Sequence, residues 1–206
     1  MAFRLFPERA MTLGKLAFLS LFLGFVTWVK CTYAEPIVNY TAVMSVNGKK
    51  VNVAYLDNML RVEHPEYEDI INITMPAEKK FIVFSTATET YYEKGIRPDF
   101  YEVDVVVEKT KKGSDIIDGH PCTRYEGVFY RKDKPDEKNE TIEWDAEDLG
   151  GLAIKVKMRD YRAVRQHVEE YTTMELKNIK PGGAKKEMFQ IPEYYRKVKL
   201  LKEVLE

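Results

Sequence analysis

Between Met44 and His64 the chain reads MSVNGKKVNVAYLDNMLRVEH, and this one stretch must reverse direction twice. Asn47-Gly48 and Asp57-Asn58 each stand between runs of alternating apolar and polar residues, and both dipeptides tolerate the positive φ of a two-residue hairpin turn. Tyr40, Ala42, Met44 and Val46 share one side of the first run; Val51, Val53 and Tyr55 share one side of the second; Met59 to Glu63 supplies a third. The pattern predicts a three-stranded antiparallel meander, and little else can be built from it.

The same period continues downstream. Strand-like runs are Ile70 to Met75, Lys80 to Ser85, Glu89 to Glu93, Phe100 to Lys109, Cys122 to Arg131, Thr141 to Trp144, Leu152 to Arg159 and Arg165 to Lys177. Turn chemistry separates them at Met75-Pro76-Ala77, Gly95 to Pro98, Lys111 to Ser114 and the charged run from Lys132 to Glu140. Asp145 to Leu149 ahead of Gly150-Gly151 predicts one helical turn closed by glycine. A longer helix is expected only from Glu193 to Leu205, where Tyr194, Val198, Leu201 and Leu205 recur at helical spacing among lysines. A sheet of about ten strands either closes into a barrel or curls and leaves a face to be covered. One helix of about 12 residues spans only about 18 Å, so it covers part of such a face and leaves an apolar groove.

The N-terminus predicts export. Arg4, Arg9 and Lys15 precede an apolar or small run of 14 residues, Leu16 to Val29, which suits a signal-peptide core and is short for a membrane span. Thr32-Tyr33-Ala34 then places the cut after Ala34, leaving residues 35–206 as one domain. An uncleaved anchor and a lipid-modified Cys31 are the alternatives, the second fitting poorly with Lys30 and Trp28 upstream. Beyond Ala34 the chain holds 28 basic against 32 acidic residues, which points away from nucleic acid. It keeps one cysteine, Cys122, so no internal disulfide can form and stability must come from packing. The Asn-x-Thr triplets at Asn39, Asn72 and Asn139 carry no weight, since such triplets arise readily by chance.

The succession GKKVNVAYLDNMLRVE, FIVFSTATETYYEKG, DGHPCTRYEGVF, TIEWDAEDLGGLAIKVKM and LKNIKPGGAKKEMFQIPEYYRKV resembles a group of uncharacterised exported bacterial proteins, similar in layout to the outer-membrane lipoprotein carriers. The likeness runs from Val38 to Val198, on a glycine just ahead of Cys122, the Trp144-Asp145 pair and the closing MFQIPEYY. The resemblance implies an open, curled antiparallel half-barrel, here with the C-terminal helix on or near the concave face, able to hold an acyl chain or another greasy ligand. One departure stands out. The carriers place a helix ahead of their first strand, whereas only Glu35 and Pro36 separate the expected cut from strand residues here.

Catalytic signatures are absent from the sequence. His64, His120 and His167 lie far apart and outside any HExxH spacing, and there is no Gly-x-Ser-x-Gly elbow, phosphate loop or calcium loop. Any Asp and Glu could be posed as acid and base, so such a choice has no specificity. His120-Pro121-Cys122 could pair a thiolate with an imidazole or ligate a soft metal, but a small buried thiol at a strand start explains it as well. The expectation is therefore no catalytic residue, no metal and no cofactor. Groove candidates are Tyr55, Tyr91, Phe129, Trp144, Met158, Tyr194 and Leu201; for any single aromatic, ordinary core packing is the simpler account. In Tyr91-Tyr92 and Phe129-Tyr130 the neighbours must face opposite ways on a regular strand. Lys197, Lys199 and Lys202 read as the solvated side of a packed helix rather than a membrane-adhesive one. The functional expectation is an exported, non-enzymatic protein that binds a lipid or lipidated partner and touches membrane only transiently. The alternative is a cell-envelope interaction protein with a filled core.

Overall fold

The computed structural model describes residues 39–64, 67–96, 104–167 and 169–205. The expected signal segment, its cut after Ala34, and the start of the strand expected at Phe100 lie outside them.

Two meanders make one sheet. The first comprises β1 (Asn39–Val46), β2 (Lys49–Leu56), β3 (Met59–His64), β4 (Tyr67–Met75), β5 (Lys80–Ser85) and β6 (Thr90–Gly95). The second comprises β7 (Val105–Ile117), β8 (His120–Arg131), β9 (Asn139–Ala146), β10 (Leu152–Arg159) and β11 (Thr172–Pro181). Pairing of β1 with β11 joins them, and a two-residue strand, β12 (Arg196–Lys197), adds parallel to β6. The order is β12-β6-β5-β4-β3-β2-β1-β11-β10-β9-β8-β7, an unclosed mainly antiparallel sheet of twelve strands, a width at which a twisted sheet curls.

Local chemistry explains the turns. Asn47 and Gly48 sit at φ 48° and 84°, Asp57 and Asn58 at 47° and 67°, which are the paired positive values of the tight hairpin turn predicted for both sites. Asp118-Gly119, at φ 50° and 86°, makes a third such turn between β7 and β8. The turn expected at Lys111 to Ser114 is instead strand, with a register shift between Lys111 and Gly113 that leaves Lys112 as the extra residue while Gly113 pairs with Arg124. Among the described residues between Arg165 and Tyr171 there is no strand; a short helix, α1 (Tyr161–Arg165), stands before β11, capped by Asp160, whose Oδ1 accepts the Ala163 N–H at 2.7 Å.

The C-terminal helix is the main correction. Only α2 (Lys202–Leu205) is helical. The Arg196 N–H bonds to the Glu89 carbonyl and the Val198 N–H to that of Tyr91, at 2.9 and 2.8 Å. Satisfying the open edge of β6 thus outweighs helix propensity over 194–199.

Three buried clusters form the core. One packs β1–β3 with β8–β11 around Ile154 and Val156, with Leu149 of the 3-10 turn Glu147–Leu149 joining it. The second lies on the other face of β2–β5, and the third joins Phe81 and Val83 to Val198 and Val204. At Gly127 of β8 an added Cβ would stand 2.3 Å from the Glu108 carbonyl oxygen and 2.9 Å from the Lys109 Cα, both backbone atoms of the neighbouring strand. Gly127→Ala should therefore cost about 2 kcal/mol through strand displacement, read as a lower midpoint at unchanged slope in urea.

Candidate functional site

The register sorts the side chains of β1–β3 onto two faces. Tyr40, Met44, Val53 and Val62 enter the first cluster. Thr41, Val43, Asn52, Ala54 and Arg61 point the opposite way, onto the face that carries Ile71, Ile73, Ile82 and Phe84 further along. A strap, residues 184–195, which contains a 3-10 turn at Lys186–Phe189, covers that second face. Ala184, Phe189 and Tyr195 are buried on it, with Met188 and Ile191 alongside, and the Tyr195 ring meets Phe84 edge-on at 5.7 Å.

The strap leaves β11 through Pro181-Gly182-Gly183. A Cβ at Gly183 would lie 2.6 Å from Thr41 Oγ1 and 2.9 Å from the Lys180 carbonyl oxygen, so glycine is what lets the chain turn onto the sheet here. The Gly182 N–H bonds to the Asn39 carbonyl and the Ala184 N–H to Asn39 Oδ1, both at 2.9 Å. Arg61 pins the middle: its Nη1 donates to the Met188 carbonyl at 2.6 Å and its Nε to Glu63 Oε1 at 2.7 Å, while its guanidinium carbon stands 5.7 Å from the Phe84 ring centre.

Where the strap stops short, a cleft of about 450 Å³ remains between β1–β3, the end of β11 and Met188. Val43, Ala54 and Met188 give it apolar walls; Arg61, Glu63 and Lys180 supply charge at its margins. Among the described residues the Lys180 ammonium has no hydrogen bond or ion pair. The lining is thus amphipathic rather than uniformly greasy.

The seven groove candidates are dispersed. Tyr91 alone sits on the strap-covered face, against the second cluster. Tyr92 belongs to the third cluster, on the opposite face, as alternation demands. Tyr55 is buried in the first cluster, stacked on Tyr40 at 5.5 Å, with its hydroxyl on Asn58 Oδ1. Trp144 is 8% exposed, donates to Asp115 Oδ2 at 2.8 Å, and has Arg124 and Lys155 at 5.7 and 5.5 Å from its ring. Phe129 and Met158 are half-buried on β8 and β10, Leu201 packs beside the third cluster, and Tyr194 is 69% exposed. None of the seven lines the described cleft. Sequence reasoning missed the cleft residues because Thr41, Val43, Asn52 and Ala54 occupy the side of the meander that alternation assigns to solvent. The available signal was that Val43 and Ala54 are apolar there.

A second polar group lies in the other half. Lys109 Nζ reaches Glu143 Oε2 at 3.2 Å and Asp145 Oδ2 at 3.0 Å and stands 4.5 Å from the Tyr125 ring centre. Burial works against the Lys109 charge, but the two carboxylates hold its pKa above the ordinary lysine value. Burial raises the Asp145 pKa, and the shared ammonium offsets this only in part. One ammonium thus faces two carboxylates, which leaves the cluster one net negative charge, with Asp145 Oδ1 buried and without a hydrogen bond among the described residues. His120 Nδ1 lies 2.8 Å from Asp148 Oδ2, while Cys122 is 1% exposed, gives its S–H to the His120 carbonyl, and has its thiol pKa pushed up by burial, the opposite of an activated nucleophile. Among the described residues no three His, Cys, Asp or Glu side chains gather in a way that could hold a metal ion.

No protein-family model matches the chain, and no curated protein matches it. Among solved structures it is similar to the lipoprotein LppX of Mycobacterium tuberculosis, at 10% identity and a TM-score of 0.45, over 78% of this chain and 93% of that one. It is similar to MucB at 10% identity and a TM-score of 0.45, over 84% of this chain and 62% of MucB. A DUF1329 family protein from Desulfovibrio piger aligns at 13% identity and a TM-score of 0.28, over 84% and 96% of the two chains.

Proposed function

We propose that this chain is an exported, non-enzymatic binding protein that holds an amphipathic ligand, an acyl chain or a lipidated partner, on the sheet face beneath the C-terminal strap. The observation that carries this reading is that an apolar face of β2–β5 is covered by the 184–195 strap, and that the cover ends at an amphipathic cleft. Removing apolar area from water is worth roughly 25 cal/mol per Å², or about 0.8 kcal/mol per methylene, so about ten methylenes gain roughly 8 kcal/mol. Lifting Phe189, Met188 and Tyr195 off the same face gives up a similar amount, at roughly 2 kcal/mol or more each. The exchange is close to balanced, which makes loading reversible. With Arg61 already held by Glu63, the Lys180 ammonium is the group that favours a ligand whose head carries negative charge. Withdrawal of the strap also exposes Tyr91, the groove candidate on this face.

A second reading has its own observation. β7 is a thirteen-residue end strand, its outer side unpaired among the described residues, with Ile116 77% exposed. Such an edge could take a partner strand, although Lys111 and Lys112 on it work against edge-to-edge pairing. Mass spectrometry of organic extracts from natively purified protein separates the two. Binding beneath the strap predicts co-purified amphiphile in the native chain and its loss in Val43→Trp, which fills the cleft. Equal extracts from both, or none from either, would count against the ligand reading.

A further inference from the structure

The end of the chain divides its side chains sharply. Tyr195, Val198 and Val204 are buried and fasten the segment to both faces of the sheet. Tyr194 and Leu200 stand out, 69% and 52% exposed, and they make up half of the exposed large apolar side chains among the described residues. Around them Arg196, Lys199 and Lys202 are exposed. None of the three has a side-chain hydrogen bond or ion pair among the described residues. Lys197 is spoken for by Glu93 at 3.0 Å, and Glu203 is turned to the backbone, accepting the Leu200 N–H at 2.9 Å. Within 193–203 Arg196, Lys197, Lys199 and Lys202 stand against Glu193 and Glu203, a net charge of +2 beside a tyrosine and a leucine, along the sheet edge that β12 forms.

We propose that this 194–202 edge docks the protein on an anionic lipid bilayer. A bilayer interface accepts both halves of the pattern: the tyrosine ring and leucine enter the headgroup region while the cations meet lipid phosphates. A second copy of the chain fits less well, because symmetric contact would bring Arg196, Lys199 and Lys202 against themselves. An acidic protein would satisfy the charges but leave two separated apolar side chains without a socket. The inference is independent of the ligand reading, since the cleft lies at β1–β3 and the docking edge at β6 and β12.

The test is amide hydrogen exchange of the full chain with phosphatidylcholine vesicles, with and without phosphatidylglycerol. The apolar run ahead of Lys30 can bring the chain to any vesicle, so the readout is local to 194–204. Slower exchange there with anionic vesicles, and not with neutral ones, is expected. At about fivefold per cation near an anionic surface, Arg196→Gln/Lys199→Gln/Lys202→Gln should need roughly a hundredfold more lipid for the same protection. Tyr194→Ser/Leu200→Ser should weaken it too, and unchanged melting of both variants will show that they fold. Unchanged exchange with anionic vesicles, or equal protection by neutral ones, overturns the proposal. So does protection produced without lipid, whether by raising the protein concentration or by adding polyglutamate, because that assigns the edge to a second copy or to an acidic protein.

Discussion

Ile73→Ala should lower the global unfolding free energy by about 3 kcal/mol, whereas Phe189→Ala, in the same buried cluster, should lower it by clearly less. Ile73 is 0% exposed in β4, flanked by β3 and β5, and a cavity there cannot be relieved without breaking the sheet. Phe189, at 4% exposure, belongs to the strap, whose main-chain ties are mostly local 3-10 bonds and whose cross-links to the sheet are few. Its loss can be met by local opening of residues 184–195, so the cost is capped at the free energy of that opening. Denaturant midpoints give the global term, and amide exchange at 186–191 together with a hydrophobic dye gives the local one. If Phe189→Ala costs as much as Ile73→Ala and binds no more dye than the native protein, the strap is part of the cooperative core and not a displaceable cover.

Lys109→Met should cost about 3 kcal/mol at neutral pH and lower Tm by about 10 °C, because it leaves Glu143 and Asp145 buried at 10% side-chain exposure with no cation between them. The pH dependence carries the signature. Asp145 already has its folded-state pKa raised above 3.8 by burial, so its ionised form opposes folding and protonation favours it. The deficit of the variant should therefore shrink as pH falls through the folded pKa of Asp145. In the native protein Lys109, raised above 10.5, contributes stability that is present at neutral pH and lost only as pH climbs through its folded value. Adding Glu143→Gln and Asp145→Asn to Lys109→Met should restore most of the loss, since the cost lies in the stranded charge. Thermal melts across pH check all three statements, and a pH-independent deficit would show that Lys109 acts through packing alone.

Much of the first meander was legible because its turns are chemically explicit: Asn-Gly and Asp-Asn occupy positive φ, and period-two alternation fixes which side is buried. The turn at Met75-Pro76-Ala77 and the glycine-closed turn after Asp145 follow from the same local rules and are present as 3-10 turns, Pro76–Glu78 and Glu147–Leu149. The failures come from non-local bonding. Lys111 to Ser114 carries turn residues, yet pairing with β8 draws it into a strand and leaves the reversal to Asp118-Gly119, a stronger hairpin signal. The apolar spacing of Tyr194, Val198, Leu201 and Leu205 suits a helix, but the unpaired edge of β6 takes the backbone of 196–198 first. Val198, Leu201 and Leu205 still gather in one cluster, reached by a different path. The cleft was hidden for a related reason. Alternation marks one side of β1–β3 as exposed, and only the return of a segment more than 120 residues later in sequence encloses it.

Titration of the purified full chain with a fluorescent fatty acid tests the binding reading most directly. The account predicts saturable uptake by the native protein, tighter uptake by Phe189→Ala, where the strap competes less well, and none by Val43→Trp. Failure of both the native protein and Phe189→Ala to saturate, or equal uptake by Val43→Trp, would contradict it.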